Sequence, residues 1–191
     1  PTQTVHVFLA GWNSRQFTTD TEMVKNPFST RLPAWRADSS GFLFEHIERG
    51  FGAHRLIEIQ IPSGVTRVVI DETSDTFVNV FQKGYRKNLN GFEEIIWRSE
   101  RDGWNHLYLY NGRTGKVKNQ ITKGEWVVRD VVAVDEKKRQ ITFRASGREP
   151  GIDPYYIHYY RVNFDGSELI KLTDGDGTHS VIFSPDKSVL I

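Results

Sequence analysis

The sequence predicts an all-β fold, a β-propeller made of four-stranded antiparallel blades and present as a partial propeller of about four blades. Three observations predict it. Gly64, Gly115 and Gly166 recur every 51 residues, and six positions after each comes an aliphatic residue, Ile70, Ile121 or Leu172. Asp135 and Asp186 form a further pair at the same spacing. Short runs of β-branched and aromatic residues, bounded by Gly, Asp, Asn and Pro turns, fill each interval, and nothing in them demands a helix. A period near fifty built from four short strands is a blade signature, because one four-stranded sheet cannot bury both faces until it packs on a neighbour.

The elements follow in order. Residues 4–10 read as a strand with Val5, Val7 and Leu9 on one face, ending in a Gly-Trp-Asn-Ser turn. Residues 13–31 read as an outer strand and a connection with a turn at Asn26-Pro27. The first complete blade spans about 31–71: an inner strand and turn over 33–41, a second strand at 42–45, a third at 56–61 and a fourth at 65–70. The second spans about 76–122, with its inner strand between Phe77 and Leu89 and a meander through 95–97 and 107–110. The third, at about 126–173, reads as strands at 127–134, 141–145, 155–163 and 169–173. Blade remnants remain at 1–30 and 178–191, the latter holding a Ser184-Pro185-Asp186 turn. Residues 1–191 are therefore read as a portion of one propeller domain, cut from something longer; alternatively its first and last strands complete a shared blade, closing a small ring or, between two copies in a homodimer, a larger one.

Composition narrows the function classes. Lys and Arg number 25 against 24 Asp and Glu, so a net charge of +1 exerts no long-range pull on nucleic acid. The absence of cysteine excludes thiol catalysis and disulfides. No run of 18 apolar residues exists to span a membrane as a helix, and the first residues lack a secretory signal pattern.

Candidate sites are sparse. Glu100, Arg101 and Asp102 fall on a hairpin turn, which suits a solvated tip. His106 and His158 lie on equivalent strands of successive blades, which separates them and reads as packing or hydrogen bonding rather than metal ligation. Asp174-Gly-Asp-Gly-Thr begins like a calcium loop, but the twelfth position is Pro185 where a glutamate is required. His179 and Ser180 are adjacent on a strand and point to opposite faces. Lys137, Lys138 and Arg139 form a hairpin tip, and Trp97, Trp104 and Trp126 read as filling between blades. No catalytic, metal or cofactor residue is assigned. Tyr85 and Arg86 are the substrate-binding candidates, since an inner strand there lines a propeller channel where an aromatic and a cation meet a peptide.

The wording itself carries a resemblance. Glu94-Ile-Ile-Trp-Arg-Ser-Glu-Arg-Asp-Gly-Trp-Asn-His-Leu-Tyr-Leu-Tyr110, Gln120-Ile-Thr-Lys-Gly-Glu-Trp-Val-Val128 and Gly177-Thr-His-Ser-Val-Ile-Phe-Ser-Pro-Asp186 resemble the N-terminal propeller of bacterial dipeptidyl peptidase IV-like enzymes of the prolyl oligopeptidase family. Trp35-Arg-Ala-Asp-Ser39 and Val69-Ile-Asp-Glu72 extend the likeness from about residue 35 to 190. The resemblance implies an eight-bladed propeller capping a C-terminal α/β-hydrolase domain. That domain's serine, aspartate and histidine remove short peptides from N-termini, typically after Pro or Ala. It further implies a periplasmic or secreted parent, peptide substrates and no cofactor. This chain departs from the whole enzyme in lacking a Gly-x-Ser-x-Gly segment. Glu93 and Glu94, in a turn leading to a strand, do not match the family's amine-binding glutamate pair. The expected role is a non-catalytic, substrate-gating part of a serine exopeptidase. The alternative is a free-standing propeller that binds protein or glycan.

Overall fold

The structure is a computed structural model and describes residues 4–8, 14–81, 84–185, 189 and 191. Fourteen strands were found among them, with one short 3-10 turn. Strands β1 (Thr4–Phe8) and β2 (Ser14–Thr18) pair as an antiparallel hairpin. The remaining twelve form three four-stranded antiparallel sheets in meander order. The first contains β3 (Pro27–Trp35), β4 (Gly41–Glu48), β5 (Ala53–Gln60) and β6 (Thr66–Thr73). The second contains β7 (Arg86–Leu89), β8 (Glu94–Ser99), β9 (His106–Asn111) and β10 (Val117–Gln120). The third contains β11 (Val127–Asp135), β12 (Gln140–Ser146), β13 (His158–Asn163) and β14 (Ile170–Lys171). The all-β class and the blade-type sheets expected from the repeat are what the molecule has.

The 51-residue repeat has a local cause. Each glycine closes the hairpin between the third and fourth strands of its sheet, its N–H donating to the carbonyl of Gln60, Asn111 or Asn163. The three adopt φ of 78°, 73° and 86°, a region costly for any residue with a Cβ. Close approach reinforces the choice: a Cβ on Gly115 would collide with the Val69 carbonyl, and one on Gly166 would press on that of Ile121. Each hairpin therefore seats its glycine on the last strand, or the end, of the preceding sheet.

The chain divides into two compact units, residues 1–99 with 109–118, and residues 100–108 with 119–191. In the first, Phe17 and Val24 pack with Phe44, Ile57 and Ile59 on one face of the first sheet. The opposite face carries Leu43, Ile47 and Leu56, all wholly buried, together with Glu45, His54 and Glu58. In the second unit, Trp126, Phe143 and Tyr160 stack at interplanar angles of 13–28°, with centroids 5.6 to 6.4 Å apart.

Several boundaries differ from the sequence reading. The first strand of the first sheet starts at Pro27, inside what reads as a connection, because register shifts between Pro27 and Ser29 and between Arg31 and Ala34 break the alternation that would reveal it. β13 starts at His158 rather than 155, since Tyr155 and Tyr156 are held in a turn by Asp153. β7 is four residues long. Leu9, Ala10 and Asp186 of the predicted elements lie outside the described residues. The final segment still turns back on itself: Ile182 and Ile191 exchange backbone hydrogen bonds, and Ser184 N–H donates to Val189. Trp97 and Trp126 are buried as expected, but Trp104 is 40% exposed, because it follows Gly103 in the β8–β9 turn and points outward.

Candidate functional site

Arg86 opens β7, and its guanidinium lies against a buried carboxylate, Glu45 of β4, with Nη1 at 3.0 Å from Oε1. Glu45 sits in the apolar run Phe42-Leu-Phe-Glu-His-Ile, where strand alternation turns it to the same face as Leu43 and Ile47. A lone charge there would cost several kcal/mol, so it gathers partners. His54 Nε2 lies 2.8 Å and Arg31 Nε 3.2 Å from its Oε2. Burial pushes the Glu45 pKa up, but the His54 hydrogen bond and then the Arg86, His54 and Arg31 charges outweigh it and leave the carboxyl below its ordinary value. Arg31 also donates to the Val80 carbonyl at 3.4 Å, tying the β6–β7 connection to β3.

Tyr85, beside Arg86, is half-buried, and burial raises its phenol to about 12, so it stays a neutral hydrogen-bonding group. Its carbonyl accepts from the Arg98 N–H at 3.1 Å. Gln82 and Lys83 of the same predicted inner segment lie outside the described residues. Just beyond Val80 is a cluster of phenylalanines: Phe28, Phe51, Phe77 and Phe81, with neighbouring centroids 5.0 to 5.8 Å apart. Phe28, Phe77 and Phe81 are each at least 45% exposed. The two predicted residues thus lie together, with the Arg86 side chain 5% exposed and committed to Glu45. Sequence reasoning missed Glu45, Arg31 and His54, although a glutamate inside an unbroken apolar run was a signal, and it missed the phenylalanines because scattered Phe reads as core.

A second buried carboxylate, Glu58 of β5, is gripped by Arg36 and by Arg67, whose Nε is 2.7 Å away. Arg36 also donates to the carbonyls of Phe92 and Gly112 at 3.1 and 2.8 Å. These groups floor a shallow cavity of about 610 Å³ that Ser40, Pro62 and Arg113 complete. Arg113 is itself engaged by Glu93 and Asp38 at 2.7 and 2.8 Å.

The other predicted residues fall where their turns and strands put them. Asp102 accepts from the Trp104 N–H and the Gln120 amide, and the Arg101 guanidinium lies 4.6 Å from the Tyr108 ring centre. Glu94 pairs with Lys118. His106 and His158 are hydrogen-bonded, to Thr122 and Thr173 respectively. Among the described residues, no three His, Cys, Asp or Glu side chains gather as a metal site requires. The arrangement suits holding and positioning: two charge-neutralised carboxylates, an aromatic rim and a neutral phenol.

A family model described as the dipeptidyl peptidase IV (DPP IV) N-terminal region matches residues 4–191. Dipeptidyl peptidase 4 of Trichophyton rubrum is 30% identical over 122 residues, covering 63% of this chain and 15% of that protein. Dipeptidyl peptidase 4 of Arthroderma otae is 28% identical over 133 residues, 69% of this chain and 16% of its own length. Among solved structures, Porphyromonas gingivalis dipeptidyl peptidase 4 superposes with a TM-score of 0.71 at 18% identity, over 98% of this chain and 25% of that one. A putative dipeptidyl aminopeptidase IV from Bacteroides ovatus gives 0.66 at 18% identity, over 98% and 28% of the two chains. This chain therefore spans a small part of the proteins it matches.

Proposed function

This chain belongs to the family of dipeptidyl peptidase IV N-terminal regions, and from that premise we propose that it is the non-catalytic, substrate-gating part of a serine exopeptidase that removes short peptides from N-termini, typically after Pro or Ala. The observation that carries this reading is the family match along residues 4–191. The reaction belongs to a C-terminal α/β-hydrolase domain of the parent chain, whose Gly-x-Ser-x-Gly nucleophile segment is absent from this sequence. Rigid sheets contribute by exclusion: they reject folded proteins sterically and hold the free end of a peptide against side chains of fixed position. A periplasmic or secreted location and pairing of two copies complete the proposal.

At the level of residues, Tyr85 supplies a neutral donor and apolar ring for the peptide. Arg86, anchored on Glu45, sets the position of the strand that carries it. The test has two parts. The chain alone releases nothing from Gly-Pro or Ala-Pro chromogenic reporters, whereas the parent protein does so and is silenced by a serine-directed phosphonate. Hydrolysis by the isolated chain, or none by an intact parent, overturns the reading. In the parent, Tyr85→Ala raises KM and leaves kcat in place; an unchanged KM removes Tyr85 from the site.

A further inference from the structure

His158, first residue of β13, is 2% exposed, and its ring lies 4.8 Å centre to centre from that of His179. Its Nδ1 meets the Thr173 hydroxyl at 3.4 Å, and that oxygen accepts the Tyr159 N–H at 3.1 Å. The Thr173 hydroxyl keeps both a proton and a second lone pair for this contact, so the ring's tautomer decides which of the two donates. Nε2 of His158 and Nε2 of His179 are both buried and have no hydrogen-bond partner among the described residues.

A matched site in the same unit is built differently. His106, first residue of β9, meets Thr122 through Nδ1 at 3.0 Å, but its Nε2 donates to the Gly124 carbonyl at 2.9 Å. Its ring neighbour is Trp126, also 4.8 Å away, which does not titrate. The backbone around the two sites corresponds: Val128 N–H donates to the Asn105 carbonyl at 2.8 Å, and His179 N–H to the Ile157 carbonyl at 3.0 Å. One joint thus has both imidazole nitrogens satisfied beside an indole. The other sets two imidazoles together with two nitrogens unanswered.

We propose that the His158–His179 contact is a proton-sensitive latch, which fastens the backbone at His179 to the start of β13 while His158 is neutral and loosens it when His158 is protonated. Protonating His158 places a charge beside a second imidazole in a buried setting with no acceptor on Nε2, where a hydrogen bond to the Thr173 backbone offsets only part of the cost. The charged groups acting on His158 are Lys171 at the end of β14, which opposes a further positive charge, and Glu149 of the β12–β13 loop, which favours it. Glu149 is already engaged by Arg148 at 2.9 Å and Lys171 at 3.5 Å, so it offers limited compensation. Burial, first, and then Lys171 and His179 hold His158 below its ordinary value of 6.5. The folded chain therefore binds this proton less readily than the unfolded chain. The latch is fully closed above the ordinary histidine value and weakens as pH falls below it.

Backbone hydrogen exchange tests this within one molecule, because the Val128 and His179 amides make corresponding bonds. Between about pH 7.5 and about pH 5.5 the protection factor of the His179 amide falls by up to roughly tenfold, while that of Val128 holds. In His158→Phe, which keeps an aromatic ring against His179 and removes the buried group that takes up the proton, the fall at position 179 shrinks to that at Val128. Equal changes at the two amides in the unsubstituted protein, or a fall that persists in His158→Phe, overturns the proposal. Should the variant not fold, the unsubstituted comparison decides alone. Ring-proton titration of His158 adds a second readout: its midpoint lies below the ordinary value of 6.5 if the contact is as described, and at that value if it is not.

Discussion

The two units hold their sheets by different physics. In the first, charge does it: Arg36 reaches Glu58 and two backbone carbonyls from a nearly inaccessible position, and Glu45 collects Arg31, His54 and Arg86. In the second, rings do it: Trp126, Phe143 and Tyr160 stack, with the Arg148 guanidinium 5.2 Å from the Tyr160 ring centre. Four-stranded sheets with the same hairpin geometry thus tolerate opposite interior chemistry. What the comparison teaches is a difference in failure. A ring stack loses contact area gradually as it is trimmed, whereas a buried ion network left with one partner missing holds an uncompensated charge.

The largest expected effect comes from breaking the charged side. Arg36→Met leaves Glu58 with Arg67 alone, removes the Arg36 donor from the Phe92 carbonyl and leaves the Gly112 carbonyl its longer bond from Arg67, so denaturant unfolding of the first unit should show a loss of about 3–5 kcal/mol. Acid comes next. Glu45 and Glu58 are both held below their ordinary value of 4.5, despite burial that pushes the other way, by partners among His54, Arg86, Arg36 and Arg67. Their contribution is present above that pH and is lost as pH falls through the lower folded values. The thermal midpoint of the first unit should drop over that range, and the double variant Glu45→Gln with Glu58→Gln should flatten the drop at the expense of stability at neutral pH. On the stacked side, Phe143→Leu keeps most of the volume but loses the ring contacts with Trp126 and Tyr160. It should cost about 1–2 kcal/mol in the same unfolding measurement, with the acid response unchanged. The smallest effect belongs to Lys118→Gln. Its partner Glu94 is reached from an exposed position, and the midpoint should stay within about 0.5 kcal/mol of the parent's. A cost in that last case comparable to that of Arg36 would erase the distinction between buried and surface pairing.

Much of the frame was legible in the sequence because it rests on single residues with single reasons. The glycines at 64, 115 and 166 mark hairpins that need a positive φ, and His106 and His158 mark the starts of equivalent strands. The start of β3 was not legible, since its register shifts scramble the alternation of facing residues. Of the candidate site, the neighbourhood of Tyr85 and Arg86 could be named, but not its company. Arg31, Glu45, His54 and Arg86 come from four strands, and no local pattern tells a buried glutamate which distant cation will meet it. The exposed phenylalanines escaped for the opposite reason, because side chains of that kind are ordinarily read as interior.

The glycine that closes each hairpin carries one more consequence. Gly115 lies where a methyl group would strike the Val69 carbonyl, and Gly166 approaches Ile121 in the same manner. At these two contacts the neighbour supplies only main chain, which every sequence possesses, whereas Gly64 meets the Phe17 ring. A gene segment copied in tandem on the pattern of Gly115 or Gly166 would therefore bring its own fitting along, whatever side chains had drifted in the meantime. An architecture of this kind can lengthen by duplication without first evolving a matching surface.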